Sequence, residues 1–335
     1  MASSPELRDK IVLVTGGTGS FGTAFISQLL QGHEPAAVRV YSRDELKQHE
    51  LHRKLGGDPR LRFLIGDVRD LERLKRACRH VDVIVHAAAL KHVPICEYNP
   101  FEAVQTNIIG AENIVNAAIE NQVLRTISLS TDKAVNPVNL YGATKLCAEK
   151  IVTQGNSYAA AGQHGQPRFS TVRYGNVVGS RGSVIPLFKR QAELGELTVT
   201  DEAMTRFWIT LDQAIGFVLA CLGRMEGGEI FVPRIPSMRV VDIADAIAPD
   251  TPRRFTGVRP GEKIHEVLVT SEEARHATAF PDSFTIYPSF PFWRTEEYPT
   301  CEELPPGFIY SSDRNDAWLT PADICEMSRT VTPVD

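Results

Sequence analysis

Residues 11–22 read IVLVTGGTGSFG, an apolar run that leads directly into glycines at positions 16, 19 and 22. The run predicts a buried strand. The G-x-x-G-x-x-G spacing predicts a tight turn, a close approach of the backbone to a pyrophosphate and close packing of a following helix. The free N–H groups of that helix favour an anion. We therefore expect a dinucleotide site with contacts from Gly16, Thr18, Gly19, Ser20, Phe21 and Gly22.

Short apolar runs and amphipathic stretches alternate along the first half of the chain, which is typical of a parallel sheet covered on both faces. The predicted strands are 11–15, 38–42, 62–65, 81–86, 125–130 and 170–174, and the predicted helices are 23–30, 71–79, 100–121 and 141–154. The sequence thus predicts an α/β fold, a Rossmann-type doubly wound parallel sheet with a smaller C-terminal substrate-binding lobe. We expect residues 1–175 to form the nucleotide-binding domain, with returning segments from about 209–232, and residues 176–335 to form mainly the lobe.

Composition excludes several classes of protein. The chain has 335 residues, 43% hydrophobic residues and a formal net charge of -5, so nucleic acid is not expected as a partner. No apolar run approaches the roughly 20 residues that span a bilayer, and the polar first ten residues lack the apolar core expected of a signal peptide. The cysteines at 78, 96, 147, 221, 301 and 325 form no C-x-x-C pair. We expect a cytoplasmic protein with no metal site and no membrane contact.

The end of the second predicted strand selects the cofactor, because an acidic residue there would bind the ribose 2′-hydroxyl of NAD. This chain has Ser42 and Arg43, followed by Lys47 one turn later, which suit the 2′-phosphate of NADP. Asp44 keeps NAD as the alternative, or it caps the next helix. We predict NADP. Small or polar residues at the ends of the next two strands are expected to complete the site: Asp67, Val68, Ala87, Ala88 and Ala89.

Tyr141 and Lys145 stand four residues apart, on one face of a predicted helix. A buried Lys145 cation would lower the pKa of the phenol, so that the phenolate takes a proton from an alcohol during hydride transfer. Thr131 is expected to hold the substrate oxygen and Asn107 to fix the lysine; Asn107, Tyr141 and Lys145 also count as cofactor contacts. With these residues the chain resembles the extended short-chain dehydrogenase/reductase superfamily.

Asp132 and Lys133 stand where retaining sugar-nucleotide dehydratases carry an Asp-Glu pair. This pair, with Tyr141 eight residues after Lys133, is similar to the inverting UDP-N-acetylglucosamine 4,6-dehydratases that begin pseudaminic acid synthesis. The resemblance runs from about residue 8 to 325. Its further matches are residues 41–47 (YSRDELK), 88–94 (AALKHVP), 173–183 (RYGNVVGSRGS), 204–208 (MTRFW) and 259–263 (RPGEK).

The resemblance implies a mechanism. NADP⁺ takes hydride from C4 while Tyr141 takes the hydroxyl proton, neutral Lys133 removes the C5 proton, and protonated Asp132 helps the C6 hydroxyl leave as water. Hydride returns to C6 and a proton reaches C5 from the other face, giving UDP-2-acetamido-2,6-dideoxy-L-arabino-hexos-4-ulose. This mechanism requires burial and the Lys145 or Lys91 cations to lower the pKa of Lys133, and it requires a raised pKa for Asp132.

The resemblance also implies a substrate, UDP-N-acetylglucosamine, and a closed homo-oligomer, such as a hexamer. Arginine suits a diphosphate because its planar fork binds two oxygens at once. Glu262 is expected to accept from the uridine ribose, and Thr198 to contact the uracil. The predicted substrate-binding residues are Lys91, Asn176, Arg181, Val184, Thr198, Arg206, Arg259 and Glu262.

Three other hypotheses stay open at this point. An NADP-dependent C4 or C5 epimerase of a UDP-N-acetyl sugar would share the T-D-K-A segment, but it would resemble this family with Met in place of Tyr141. A related dehydratase acting on another nucleotide sugar in an antibiotic pathway is compatible with the same residues. An NADP-sensing regulator would ordinarily lack the Tyr141–Lys145 pair.

Overall fold

A computed structural model describes residues 7–159, 165–179, 184–294 and 296–329 of the chain. The strands are β1 Ile11–Thr15, β2 Ala37–Ser42, β3 Leu61–Ile65, β4 Val83–His86, β5 Arg125–Thr131, β6 Arg168–Tyr174, β7 Asn176–Val177, β8 Leu197–Val199, β9 Thr205–Ile209, β10 Ile230–Pro233, β11 Ser237–Arg239, β12 Arg253–Phe255, β13 Val267–Val269, β14 Ala277–Ala279, β15 Ser283–Ile286, β16 Glu302–Glu303 and β17 Tyr310–Ser311. The α-helices are α1 Ser20–Gly32, α2 Glu45–Lys54, α3 Leu71–Cys78, α4 Val93–Tyr98, α5 Pro100–Ala103, α6 Gly110–Glu120, α7 Leu140–Tyr158, α8 Val184–Glu193, α9 Leu211–Arg224, α10 Val240–Ile247, α11 Ser271–Ala274 and α12 Pro321–Arg329.

The central sheet has ten strands in the order β16-β14-β15-β10-β6-β5-β4-β1-β2-β3. All pairs from β10 to β3 are parallel, and the remaining strands, β14 to β16, extend the sheet with antiparallel pairs. The strand order reverses between β1 and β4, which is the crevice where ligands bind in doubly wound sheets. The predicted doubly wound sheet is confirmed.

Side chains of β1 alternate between two hydrophobic clusters, because a strand covered on both faces has apolar residues in both directions. Val12 and Val14 pack on one face, with α1 and α9, whereas Leu13 packs on the other, with α3, α6 and α7. A third cluster, around Trp208 and α8, α10 and α12, forms the core of a smaller lobe. Among the described residues, no helix has the length and apolar character needed to cross a bilayer.

One predicted helix contains an irregular stretch. Residues 100–120 are helical throughout, but Val104–Ile109 between α5 and α6 is a π-helix. Such a widened turn is frequent at functional sites, and here it carries Thr106 and Asn107 at the sheet's carboxyl edge. A short 3₁₀ turn, Asp132–Ala134, follows β5 at the same edge.

Candidate active site

A crevice of about 340 Å³ follows the glycine-rich turn and the ends of β2 and β3. Gly16 has a φ of +65°, and a Cβ there would lie 2.8 Å from the Ala88 nitrogen. Gly19 caps α1 without any side-chain cap, so the first N–H groups of the helix have no partner in the helix. Predicted residues that line this crevice are Gly16, Thr18, Gly19, Ser42, Arg43, Lys47, Asp67, Val68, Ala87, Ala88 and Ala89.

The carboxylates beside this crevice already have partners. Asp44 caps α2 by accepting from the Lys47 backbone N–H at 3.0 Å, and its other oxygen lies 3.0 Å from Lys47 Nζ. Asp67 accepts from the Arg69 guanidinium at 2.8 and 2.9 Å, with Arg43 at 3.7 Å. Although burial opposes it, the Arg69 hydrogen bonds and charge lower the pKa of Asp67. Arg43, by contrast, lines the crevice with more than half of its side chain exposed.

A second cavity, of about 850 Å³, lies between the sheet edge and the lobe. The remaining glycine-turn residues, Ser20, Phe21 and Gly22, line it together with Thr131, Lys133, Tyr141 and Lys145. The lobe contributes another wall. Predicted substrate residues that line this cavity are Lys91, Asn176, Val184, Arg206, Arg259 and Glu262.

The Asp132–Ala134 turn places an ion pair at the wall of the large cavity. Lys133 Nζ lies 3.0 Å from Asp132 Oδ1 and 3.5 Å from Asn176 Oδ1. The Asp132 carboxylate is fully buried behind Lys133. Its Oδ1 also accepts from the Thr131 hydroxyl at 2.8 Å, and its Oδ2 has no hydrogen-bond partner. Lys133 is 28% exposed and faces the cavity.

The pKa directions of this pair are opposite to those required at the sequence level. Burial acts against the charged forms, but the Asp132 and Glu266 carboxylates raise the pKa of Lys133, and Lys133 in turn lowers the pKa of Asp132. The expectation of a lysine with a lowered pKa was wrong because neither Lys145 nor Lys91 is the dominant neighbour. A carboxylate on either side outweighs the effect of burial.

Tyr141 and Lys145 both face the cavity from α7, but they do not act on each other as expected. Burial raises the pKa of Tyr141 to about 12, and the cation that opposes this rise is Lys133, assisted by a hydrogen bond with Thr131. Lys145 Nζ donates to the Leu129 carbonyl at 2.7 Å. Burial lowers the pKa of Lys145 to about 8, against the opposing charge of Glu149.

Asn107 forms no hydrogen bond with Lys145. Its side-chain amide instead forms both hydrogen bonds with the Leu90 backbone, at 2.8 and 2.9 Å, and donates to the Thr144 hydroxyl at 3.0 Å. The prediction that Asn107 fixes Lys145 was therefore wrong, because its partners are Leu90 and Thr144. Asn107 also lines neither cavity. It joins the π-helix to α7 and to the strand-end loop that carries Lys91.

Two of the predicted substrate residues already have hydrogen-bond partners within the protein, and the structure does not describe a third. Thr198 lies in β8, exchanges hydrogen bonds with Gln191 at 2.6 and 3.0 Å and lines neither cavity. The Arg206 guanidinium lines the large cavity, but it is buried and donates to the carbonyls of residues 205, 263 and 264, so its fork is already occupied by the protein. Arg181 lies outside the described residues.

Lys263 and Glu266 were not among the predicted site residues, although Lys263 is the last residue of the quoted motif 259–263 and Glu266 follows it by three positions. Lys263 Nζ donates to the Val135 carbonyl at 2.5 Å, and Gly261 O accepts from Asn139 at 2.8 Å, so residues 259–266 are fixed to the turn that carries Lys133. Glu266 is buried, with Oε1 3.7 Å from Lys133 Nζ. A charged residue directly before the apolar strand β13 was the available signal.

Comparison with known proteins finds related sequences over most of the chain. The family model described as polysaccharide biosynthesis protein matches residues 12–288. The UDP-N-acetylglucosamine 4,6-dehydratase (inverting) of Campylobacter jejuni serotype O:2 is 47% identical over 95% of this chain and 97% of its own length. The UDP-glucose 4-epimerase of Rickettsia canadensis is 42% identical over 83% of both chains.

Solved structures share the fold over most of the chain. Pen from Bacillus thuringiensis superposes with a TM-score of 0.88 at 36% identity, and the match covers 98% of this chain and 99% of Pen. The dTDP-glucose 4,6-dehydratase DesIV of Streptomyces venezuelae, with NAD and TYD bound, has a TM-score of 0.67 at 26% identity, with 76% and 86% coverage.

Proposed function

Because this chain belongs to the polysaccharide biosynthesis protein family and, within it, to the inverting UDP-N-acetylglucosamine 4,6-dehydratases of the extended short-chain dehydrogenase/reductase superfamily, we propose that it removes water from UDP-N-acetylglucosamine with inversion at C5. The product would be UDP-2-acetamido-2,6-dideoxy-L-arabino-hexos-4-ulose. The observation that carries this proposal is the Lys133 amine at the cavity wall, 3.0 Å from a buried carboxylate and on the same cavity as Tyr141.

The dinucleotide crevice supports NADP as the resident cofactor. The turn at Gly16 leaves no room for a side chain, and the uncapped N-terminus of α1 suits a pyrophosphate. Ser42, Arg43 and Lys47 would hold a 2′-phosphate at the far end of the crevice. The cofactor would supply hydride acceptance from C4 and hydride return to C6.

Cofactor preference can be tested at Arg43. The variant Arg43→Ala should weaken NADP binding about tenfold or more, because one charge-assisted contact to a phosphate is lost, and it should leave NAD binding within about twofold. Titration of the cofactor-free protein by calorimetry measures both. Arg239→Ala removes an equally exposed, ion-paired arginine from the lobe and should change neither affinity. Equal affinities of the unmodified protein for NADP and NAD would contradict the proposal.

The protons of the elimination balance within the Asp132–Lys133 pair. The ion pair and its neutral form, with the amine free and the carboxyl protonated, hold the same number of protons and differ by one transfer across the 3.0 Å contact. Excluding water from the cavity disfavours the charged form. Neutral Lys133 then takes the C5 proton, the C5–H electron pair expels the C6 hydroxyl, and the proton from Asp132 leaves with it as water. After the elimination Lys133 is protonated and Asp132 is deprotonated, so the pair has returned to its charged form.

Tyr141 would take the C4 hydroxyl proton during hydride transfer, beside Thr131, whose hydroxyl donates to Asp132. The lobe would hold the UDP group. Arg259 and Glu262 line the cavity and lie 3.7 Å apart, which suits a diphosphate and a ribose hydroxyl respectively. Asn176, hydrogen-bonded to Lys133, would contact the sugar. Lys91 and Val184 complete this wall.

The similarity to the Rickettsia 4-epimerase keeps epimerisation as the alternative. Proton NMR of the purified protein with UDP-N-acetylglucosamine in D₂O, with no added NADP, separates the two. A 4-keto-6-deoxy product with L-arabino couplings and deuterium at C5 is the expected result. An intact 6-hydroxyl with a changed C4 or C5 configuration would establish an epimerase, and D-xylo couplings would refute inversion.

Cytoplasmic location, assembly into a homo-oligomer and a place in pseudaminic acid synthesis stay predictions. Size-exclusion chromatography with light scattering tests assembly directly. A protein that elutes as a monomer at micromolar concentration would contradict the predicted oligomer.

A further inference from the structure

Glu266 is a buried carboxylate at the centre of a group of cations. Its Oε1 lies 3.7 Å from Lys133 Nζ and 3.8 Å from Arg206 Nε, and its Oε2 lies 3.5 Å from Lys263 Nζ. Its side chain is 3% exposed, and Oε2 has no hydrogen bond. A buried carboxylate oxygen without a hydrogen bond is costly, so the negative charge itself is the feature that needs an explanation.

The two other cations also have backbone partners. Arg206 donates to three backbone carbonyls, and Lys263 donates to the Val135 carbonyl. Lys133 is different. Among the described residues, the groups that interact with its amine include Asp132 and Asn176, the phenol of Tyr141, the Arg206 cation and Glu266. Of these, Asp132 and Glu266 are the carboxylates, and they come from different parts of the chain.

We propose that Glu266 is a positioning residue for Lys133, which holds the amine at the cavity wall and stabilises the ammonium form that Lys133 reaches when it takes the C5 proton. Only the role in C5 deprotonation rests on the proposed function; the positioning of the amine does not. Asp132 loses its negative charge when it holds the proton of the neutral pair, whereas Glu266 keeps its charge throughout. Glu266 therefore favours the arrival of the proton on Lys133, as a fixed charge does where charge develops.

Chemical labelling tests the contact without relying on the reaction. Trace acetic anhydride acetylates only unprotonated amines, so the Lys133 reactivity measured by mass spectrometry against pH reports its proton affinity. Glu266→Gln should lower the pKa of Lys133 by about one to two units, which raises labelling at a fixed pH by about tenfold or more. Glu196→Gln is the matched control, because it breaks an exposed ion pair with Arg254 outside the cavity, and it should leave the Lys133 curve unchanged.

The reaction supplies the second measurement. Glu266→Gln should lower the rate of deuterium entry at C5 about tenfold or more with KM within about threefold, and Glu266→Asp, which keeps the charge, should restore part of both the rate and the labelling curve. A Lys133 labelling curve that is the same in the unmodified protein and both variants would overturn the proposal. If Glu266→Gln shifts the curve but the unmodified protein does not dehydrate the sugar, the contact stands and the proposed function fails. If Glu266→Gln does not fold, the Lys133 labelling curve of Glu266→Asp decides. A shift from the curve of the unmodified protein supports the contact, and an unchanged curve overturns the proposal.

Discussion

Two lysines that line one cavity have opposite pKa shifts, and the difference lies in their neighbours. Lys133 contacts Asp132 directly and has Glu266 within 4 Å, so its pKa is raised despite burial. Lys145 donates to a backbone carbonyl, and burial lowers its pKa to about 8. The pKa of a lysine in a cavity can therefore shift in either direction, because a nearby carboxylate stabilises the charged form and burial stabilises the neutral form.

The lowered pKa of Lys145 predicts a pH limit to activity. Lys145 carries its charge below about pH 8 and loses it above that value. We expect it to hold the cofactor as a cation, so kcat/KM should decline above about pH 8, approaching a tenfold loss per unit. Initial rates of product formation between pH 6 and 10 measure this alkaline limb.

The variant Lys145→Arg provides the control, because a guanidinium stays charged throughout this range. Its absolute activity should be lower, since the guanidinium does not fit the ammonium's place against the Leu129 carbonyl, but the limb near pH 8 should disappear. An unchanged limb in this variant would assign the titration to another group.

At the scale of elements, the alternation of strands and helices was predictable because each signal is local. The apolar run 11–15, the glycines that follow it and the Asn139 cap before α7 act over a few residues. The π-helix at 104–109 and the docking of residues 259–266 on the 132–134 turn were not predictable. They depend on contacts between segments more than 35 residues apart in the chain, as in the Asn107–Thr144 and Lys263–Val135 hydrogen bonds.

Gly142 shows how closely α7 approaches the turn that carries Lys133. A Cβ at this position would lie 2.0 Å from the Lys133 carbonyl oxygen, which is backbone and cannot move without moving the turn. Gly142→Ala should therefore displace Lys133. We expect a loss of about 1–3 kcal/mol in the free energy of unfolding and a loss of turnover of about tenfold or more, since a displacement near 1 Å can cost 10² in rate. Urea unfolding and initial rates measure these effects.

Gly216 in α9 is the matched position, because a Cβ there would meet nothing within 4 Å. Gly216→Ala should leave turnover unchanged and raise stability by about 0.5–1 kcal/mol through helix propensity. If both variants retained full activity, the close approach at Gly142 would have no bearing on the position of Lys133.

At the scale of the whole molecule, the two halves share one sheet. Composition predicts a change of character after about residue 175, but β10 pairs with β6 and continues the sheet through β15, β14 and β16. Tertiary pairing of this kind has no local signature, since strands of two to four residues are too short to show a period. Residues after 176 therefore contribute both to the smaller lobe around Trp208 and to the edge of the central sheet.

Arg173 joins these parts in the interior. It lies in β6 with no exposed surface, contacts Glu149 of α7 at 2.7 and 3.0 Å, and donates to Glu273 of α11 and to the Leu268 carbonyl of β13. Arg173→Met would leave two carboxylates without their cation. Breaking such a buried pair costs about 3–5 kcal/mol, which should appear in urea unfolding at pH 7.

Arg254→Met is the control, because the exposed Arg254–Glu196 pair is worth at most about 1 kcal/mol. The pH dependence distinguishes a lost charge from lost packing. Burial would raise the pKa of Glu273, but Arg173 holds it below its ordinary value of 4.5. The ion pair therefore stabilises the fold above that pH and loses its contribution as the pH falls through the lowered value. The stability difference between Arg173→Met and the unmodified protein should narrow below pH 4.5. A difference that stays constant between pH 7 and about pH 2.5 would mean that packing, not charge, joins the two halves at Arg173.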